Sequence, residues 1–230
     1  MELNEFLFDL NDDLKKNRLK MVVIRNHKFL PSYNIGNDID FIIKPKDLNK
    51  WLDIIQRFCS NRNLKLKIFK NNNFYYVKIK IIGVRDKKKN YVEIDLNYNF
   101  NWRGVEFYSI NQLIRECILF NYPIYTAKNN FINSYITFCH SFLYGGFINK
   151  KYLKEFRKTQ ISNKDEFEIL FKKIFSKKQT KYIFNKLESI NFKIPRYIVN
   201  IIRIKVLLRS ILKKPLITLN LFIKSYFNFE

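Results

Sequence analysis

Apolar residues recur at helical spacing at the start of the chain. Leu3, Phe6, Leu7, Leu10 and Leu14 share one face of residues 2–17, and that pattern predicts a helix. The rhythm then changes. KMVVIRN (20–26) is β-rich and reads as a buried strand; HKFLPSYNIG (27–36), with Pro31 and Gly36, reads as a loop. NDIDFIIK (37–44) reads as a second strand, and DLNKWLDIIQRFCS (47–60) as a helix capped by Asp47. LKLKIFK (64–70) and FYYVKIKII (74–82) predict a hairpin across Asn71–Asn73. GVRDKKKN (83–90) follows as a charged turn, and YVEIDLNY (91–98) as another strand. Beyond Trp102 the periodicity is helical, over 109–120, 130–144 (broken by Gly145–Gly146), 149–158, 164–176 and 178–189. The expected outline is an α+β domain with a mixed sheet and flanking helices over 1–105. A helical domain over 106–192 and a separate C-terminal segment over 193–230 complete it.

Two of these strands carry acid in an ordered way. Strand side chains alternate with period two, so Asp38, Asp40 and Ile42 share one face while Ile39, Phe41 and Ile43 share the other. In YVEIDL the same arithmetic groups Tyr91, Glu93 and Asp95 opposite Val92, Ile94 and Leu96. If the strands are neighbours, three or four carboxylates converge. Their repulsion raises their pKa values unless a cation neutralises them. A divalent metal does so: Mg²⁺ favours one or two carboxylates with phosphate oxygens, and such ions clamp the reacting oxygens of a phosphoryl transfer. A D-x-D alone suits solvated acids on an open sheet face equally well. Lys78 and Lys80, in the preceding hairpin, are candidates to pair with these acids or with substrate.

Composition adds an anionic partner. The 230 residues hold 43 Lys and Arg against 20 Asp and Glu, a formal net charge of +23. Such a balance points to nucleic acid, phosphorylated substrates or an acidic membrane surface, although abundant Lys, Asn, Ile and Phe also mark an AT-rich coding sequence. At 47% hydrophobic and 17% aromatic, the chain is able to bury a large core and is not of the disordered class. Cys59, Cys117 and Cys139 fit no metal or redox spacing and read as buried thiols in a reducing compartment.

The order VVIRN, LPSYNIGNDIDFII, YVEIDL, NWRGVEF resembles the nucleotidyltransferase fold of the polymerase β-like superfamily. It is closest to nucleotidyltransferase-like proteins of bacterial surface-polysaccharide loci. The resemblance covers residues 18–98 and the Trp-x-Gly that follows. It implies a nucleotidyltransferase-like mixed sheet, with Mg²⁺ (Mn²⁺ as the alternative) on Asp38, Asp40 and Asp95. Glu93 is the alternative third acid. It further implies transfer of a nucleotidyl or phosphoryl-linked group from a phosphorylated or nucleotide-activated donor to a glycan or lipid-linked glycan. Where the superfamily carries a Gly-Ser pair, this chain has Arg25–Asn26, and Gly36–Asn37 abuts Asp38. Arg25, Asn26, Gly36, Asn37, Lys78, Lys80 and Arg103 are therefore the candidate substrate contacts, with Arg25 expected to meet phosphate. Three rivals stay open: a toxin-like enzyme modifying RNA or protein, a glycosyltransferase, and a non-catalytic binding module.

Other residues carry less. His27 is expected to be exposed in its loop, His140 to pack within a helix, and Trp102 to be packing. The N-terminus is acidic and amphipathic rather than a signal peptide, and no run reaches the roughly 18 apolar residues of a spanning helix. The expected location is the cytoplasm, peripheral on the inner face of the membrane. The tail supports that expectation. Between Glu188 and Glu230 there is no acid, but there are eight basic residues: Lys193, Arg196, Arg203, Lys205, Arg209, Lys213, Lys214 and Lys224. RYIVNIIRIKVLLRSILKK (196–214) reads as a helix with Ile201, Ile204, Leu208, Ile211 and Leu212 on one face and Arg203, Arg209 and Lys213 opposite. Pro215 ends or kinks it. The pattern suits an anionic membrane surface, or packing on the helical domain.

Overall fold

The apolar stripe of the first helix does bury. In a computed structural model that describes residues 1–70, 76–87, 89–146, 150–189 and 194–227, α1 (Leu3–Lys16) sets Leu3, Phe6, Leu7, Leu10 and Leu14 into a core. α2 (Leu48–Asn61) brings Trp51, Ile54, Ile55 and Phe58 to the same core. Phe6 meets Phe58 edge-on at 5.4 Å, and Trp51 lies 5.6 Å from Phe41. Each large side chain so buried contributes about 1.5–3 kcal/mol of transfer free energy.

These helices cover one face of a sheet. Its strands are β1 (Met21–Val23), β2 (Ile39–Ile42), β3 (Lys65–Lys70), β4 (Tyr76–Asp86), β5 (Lys89–Asn97), β8 (Ile118–Asn121) and β9 (Ile124–Thr126), in the order β3-β4-β5-β2-β1-β9-β8. β2 runs parallel to β5 and antiparallel to β1; β9 joins β1 in parallel. Ile39, Phe41, Ile79, Ile81, Ile94 and Leu96 supply the sheet's part of the core. Period two therefore sends Asp38, Asp40, Lys78, Lys80, Glu93 and Asp95 to the opposite face.

Three expectations change. The charged turn is tighter than residues 83–90: β4 runs through Gly83 to Asp86 and β5 begins at Lys89. The Asn71–Asn73 turn lies outside the described residues. Asp47 precedes α2 but makes no side-chain cap bond, because a short 3₁₀ turn over Pro45–Asp47 leads into the helix. The segment 109–120 is helical only as α3 (Ile110–Glu116); Ile118, Leu119 and Phe120 then enter β8. Three consecutive apolar residues before Tyr122–Pro123 fit a strand and a turn better than one face of a helix.

The chain forms two compact units. The first holds residues 1–99 and 109–128. The second holds 100–108 and 129–230, so the chain crosses between units more than once instead of dividing near 105.

In the second unit, β6 (Asn101–Trp102) and β7 (Val105–Glu106) form a small ribbon. α4 (Asn130–Cys139) passes into a π turn at His140–Gly145, and Gly146 closes it at φ +68°. α5 (Lys150–Ser162), α6 (Lys164–Ile174) and α7 (Lys177–Glu188) pack around it on an aromatic core of Tyr135, Phe138, Phe142, Phe156, Phe167, Phe171 and Phe175. Phe138 lies 4.8 Å from Phe171 and stacks on Phe142 at 5.4 Å. α8 (Arg196–Lys213) and α9 (Pro215–Phe227) complete the unit.

Candidate active site

The site rests on strand register. Asp40 on β2 stands opposite Asp95 on β5, and Asp95 stands opposite Lys78 on β4. Two residues back, Glu93 stands opposite Lys80. Strands in a sheet lie about 4.8 Å apart. The polar face therefore carries a row of acid, acid and base. Glu93 and Lys80 begin a second row, and the β2–β5 register continues it to Asp38, one residue before Ile39.

Each acid has its own surroundings. Asp40 is 3% exposed. Its Oδ1 accepts from Arg25 Nη2 in a short ion pair and from Asn97 Nδ2 at 3.3 Å. Asn97 Nδ2 also donates to the Asp95 carbonyl within β5 at 3.2 Å, so its bond to Asp40 links β5 to β2. Asp95 differs: its Oδ1 is buried and accepts no hydrogen bond from any described residue. Burial, then the charges of Asp38 and Asp40, push the Asp95 carboxyl up to about 7, against the pull of Lys78 and Arg25. Asp38 is raised too, by burial first and by Asp40 second.

The lysines balance these acids unevenly. Lys78 bridges to Glu93 at 3.5 Å, and Lys80 reaches the same carboxylate at 3.7 Å. Glu93 is thus engaged by two cations. Burial works against the charge of Lys78, but Asp95, Glu93 and Asp38 outweigh it and its pKa rises. Lys80 also lies 3.6 Å from the ring centre of Tyr91.

The loop before β2 is held in place. Asn26 adopts a left-handed conformation at φ 56°, and its amide sits against Gly36. A Cβ at Gly36 would stand 2.7 Å from Asn26 Nδ2, so glycine permits the approach. Gly36 N donates to Asn34 Oδ1 at 2.9 Å, and buried Asn34 N donates to Asp86 Oδ1 at 3.3 Å. Asn37 is exposed beside them.

Of the sequence candidates, Asp38, Asp40, Asp95, Arg25, Lys78 and Lys80 come together, with Asn26 and Gly36 paired on the adjoining loop. Arg103 belongs to the other unit, where its guanidinium lies 5.4 Å from the Trp102 ring. Trp102 is in that unit's core, as expected. His27 is not an exposed loop residue. Its ring packs edge-on against Phe120 at 4.8 Å, and burial lowers its pKa. His140 lies against Tyr144 at 5.0 Å in the π turn. Asn97 and the Asn34–Asp86 tether were missed. Asn97 was legible, since it shares a strand face with Asp95; the tether spans 52 residues and had no local signal.

Among the described residues, no three His, Cys, Asp or Glu side chains already stand as a metal-ligand set. The residues nonetheless suit a cation held among the carboxylates of Asp38, Asp40 and Asp95. Mg²⁺ takes one or two and completes its shell with substrate and water oxygens. Asp95 Oδ1 is a buried acceptor beside two further carboxylates, and that environment favours positive charge. No known family model, curated protein or solved structure matches the chain.

Proposed function

We propose that this polar sheet face is the centre of a metal-dependent transferase. It moves a nucleotidyl or phosphoryl-linked group in the assembly of a bacterial surface polysaccharide. The carrying observation is the register of Asp40 with Asp95 on parallel neighbours, with the Asp95 Oδ1 buried and unpaired. The sequence resemblance to the nucleotidyltransferase fold gives the reaction class and the polysaccharide setting. A fold alone would give neither.

Asp38, Asp40 and Asp95 would hold Mg²⁺, with Mn²⁺ as its substitute. When bound, the ion neutralises the acids and the phosphoryl oxygens. The chain's own groups do the rest. Arg25 and Asn97 fix the Asp40 carboxylate. Lys78, beside Asp95, supplies positive charge for a donor phosphate. A sugar or polyol hydroxyl attacks phosphorus in line: its oxygen forms the new P–O bond, the bond to the leaving group breaks, and Asp95 orients the hydroxyl or takes its proton.

One observation favours a second reading. Arg25 already neutralises Asp40. A site completed by an arginine suits a phosphate-binding module without catalysis. A thermal-shift screen of nucleotides and nucleotide-activated sugars, with and without Mg²⁺, separates the two. The enzyme reading expects stabilisation that needs ligand and Mg²⁺ together; the module reading expects ligand stabilisation that ignores Mg²⁺.

A further inference from the structure

α8 has two apolar faces. Val199, Ile202 and Val206 bury into the helical unit. Tyr197, Ile201, Ile204, Leu208 and Leu212 recur at the spacing of one helix face, and all are exposed. Leu212 is 85% exposed, and Leu216 on α9 is 83% exposed. Ile217, Leu219 and Ile223 extend the apolar surface along α9. One face thus satisfies packing, and the second is apolar for another reason.

The hairpin that carries this face is built firmly. Thr218 is buried, and its Oγ1 lies 3.0 Å from Ser210 Oγ and donates to Ser210 O at 3.2 Å. Gly104, at φ +84°, lets the β6–β7 turn approach the Thr218 backbone; a Cβ there would meet Thr218 O at 2.4 Å. Arg203 lies 5.1 Å from the Trp102 ring.

We propose that the α8–α9 face docks on an anionic lipid surface. Charge selects this occupant. Between Glu188 and Glu230 the chain has no acid and eight basic residues, and Arg196, Lys205, Lys213 and Lys214 are exposed around the stripe. A second copy would bring the same basic rows against each other. Nucleic acid would satisfy the charge but leave an aliphatic stripe against water. An anionic bilayer satisfies both, with hydrocarbon under the Ile and Leu side chains and headgroups against the lysines. No helix of the described residues is long and apolar enough to cross a membrane, so the contact is interfacial. This inference does not depend on the carboxylate site.

The test is sedimentation of the full chain with vesicles of phosphatidylcholine, alone or mixed with phosphatidylglycerol. Binding is expected to the mixed vesicles, to be weak to the neutral ones, and to fall with added salt. L212E with L216E should lower binding on the order of tenfold. K213Q with K214Q should lower it about fivefold per residue. All four positions are exposed, so both variants should keep the wild-type melting temperature. Absent binding to mixed vesicles, or equal binding by wild type and both variants, would overturn the proposal. A lipid-independent dimer lost in L212E/L216E would also overturn it, by giving the face to a second copy.

Discussion

Asp40 and Asp95 face each other in register across two parallel strands, yet they live in different electrostatic states. Arg25 and Asn97 satisfy Asp40, whereas the Oδ1 of Asp95 is buried with no described donor. One carboxylate is compensated from within the fold, and its neighbour is left to an outside cation or a proton.

Arg25→Met should destabilise the chain strongly, because it leaves the buried Asp40 carboxylate without its partner. Breaking one side of a buried ion pair costs about 3–5 kcal/mol. Urea unfolding of the variant should show a loss of that order. Asp40→Asn should keep the strand register and abolish metal-dependent transfer. A folded and fully active D40N protein would remove Asp40 from the chemistry.

The pH dependence follows from Asp95. Its folded pKa, about 7, lies above the ordinary 3.8, so the folded chain binds the proton more tightly than the unfolded one. The stability this contributes is complete below about 4 and is lost as pH rises toward 7. Asp38 is shifted in the same direction. Without metal, the melting temperature of wild type should therefore fall across this window relative to Asp95→Asn. The same slope in both proteins would contradict the assignment.

Much of this site was legible from period two alone. Asp38, Asp40, Glu93 and Asp95 fall on one face by counting, and the apolar alternates Ile39, Phe41, Ile94 and Leu96 do form the core. Strand neighbourhood could not be counted. The pairing of β2 with β5 joins residues 55 apart, and no local pattern specifies it. Nor did sequence spacing reveal that Lys78 and Lys80 both form their ion pairs with Glu93, although Lys78 stands opposite Asp95. The β8–β9 ribbon was obscured because α3 runs directly into an apolar stretch. Of the C-terminal stripe, Ile201, Ile204, Leu208 and Leu212 are exposed and Ile211 is half-buried. That the stripe points outward, while Val199, Ile202 and Val206 bury, depended on packing that one helix's periodicity does not contain.

Lys78→Met should act on both charge and binding. Removing the cation opposite Asp95 should raise the Asp95 pKa further, since Lys78 pulls it down. Binding of a phosphorylated ligand should weaken about tenfold, the equivalent of losing one charge-assisted contact. Calorimetric titration at two pH values would measure both effects.

Gly104→Ala should destabilise the helical unit. The residue stands at φ +84°, and a Cβ would press on the Thr218 carbonyl at 2.4 Å, a backbone atom that cannot rotate away. A loss of about 2–4 kcal/mol is expected in urea unfolding. Wild-type stability in this variant would mean that the close approach is not maintained.

The most direct test of the central claim is calorimetric titration of Mg²⁺ into the wild-type chain and into Asp95→Asn, with a nucleotide-activated sugar present. The account predicts saturable binding to wild type that tightens from pH 6 to pH 8, as the proton on Asp95 gives way to the ion, and binding to D95N at least about tenfold weaker. Equal Mg²⁺ binding by the two proteins, or none by wild type at either pH, would contradict it.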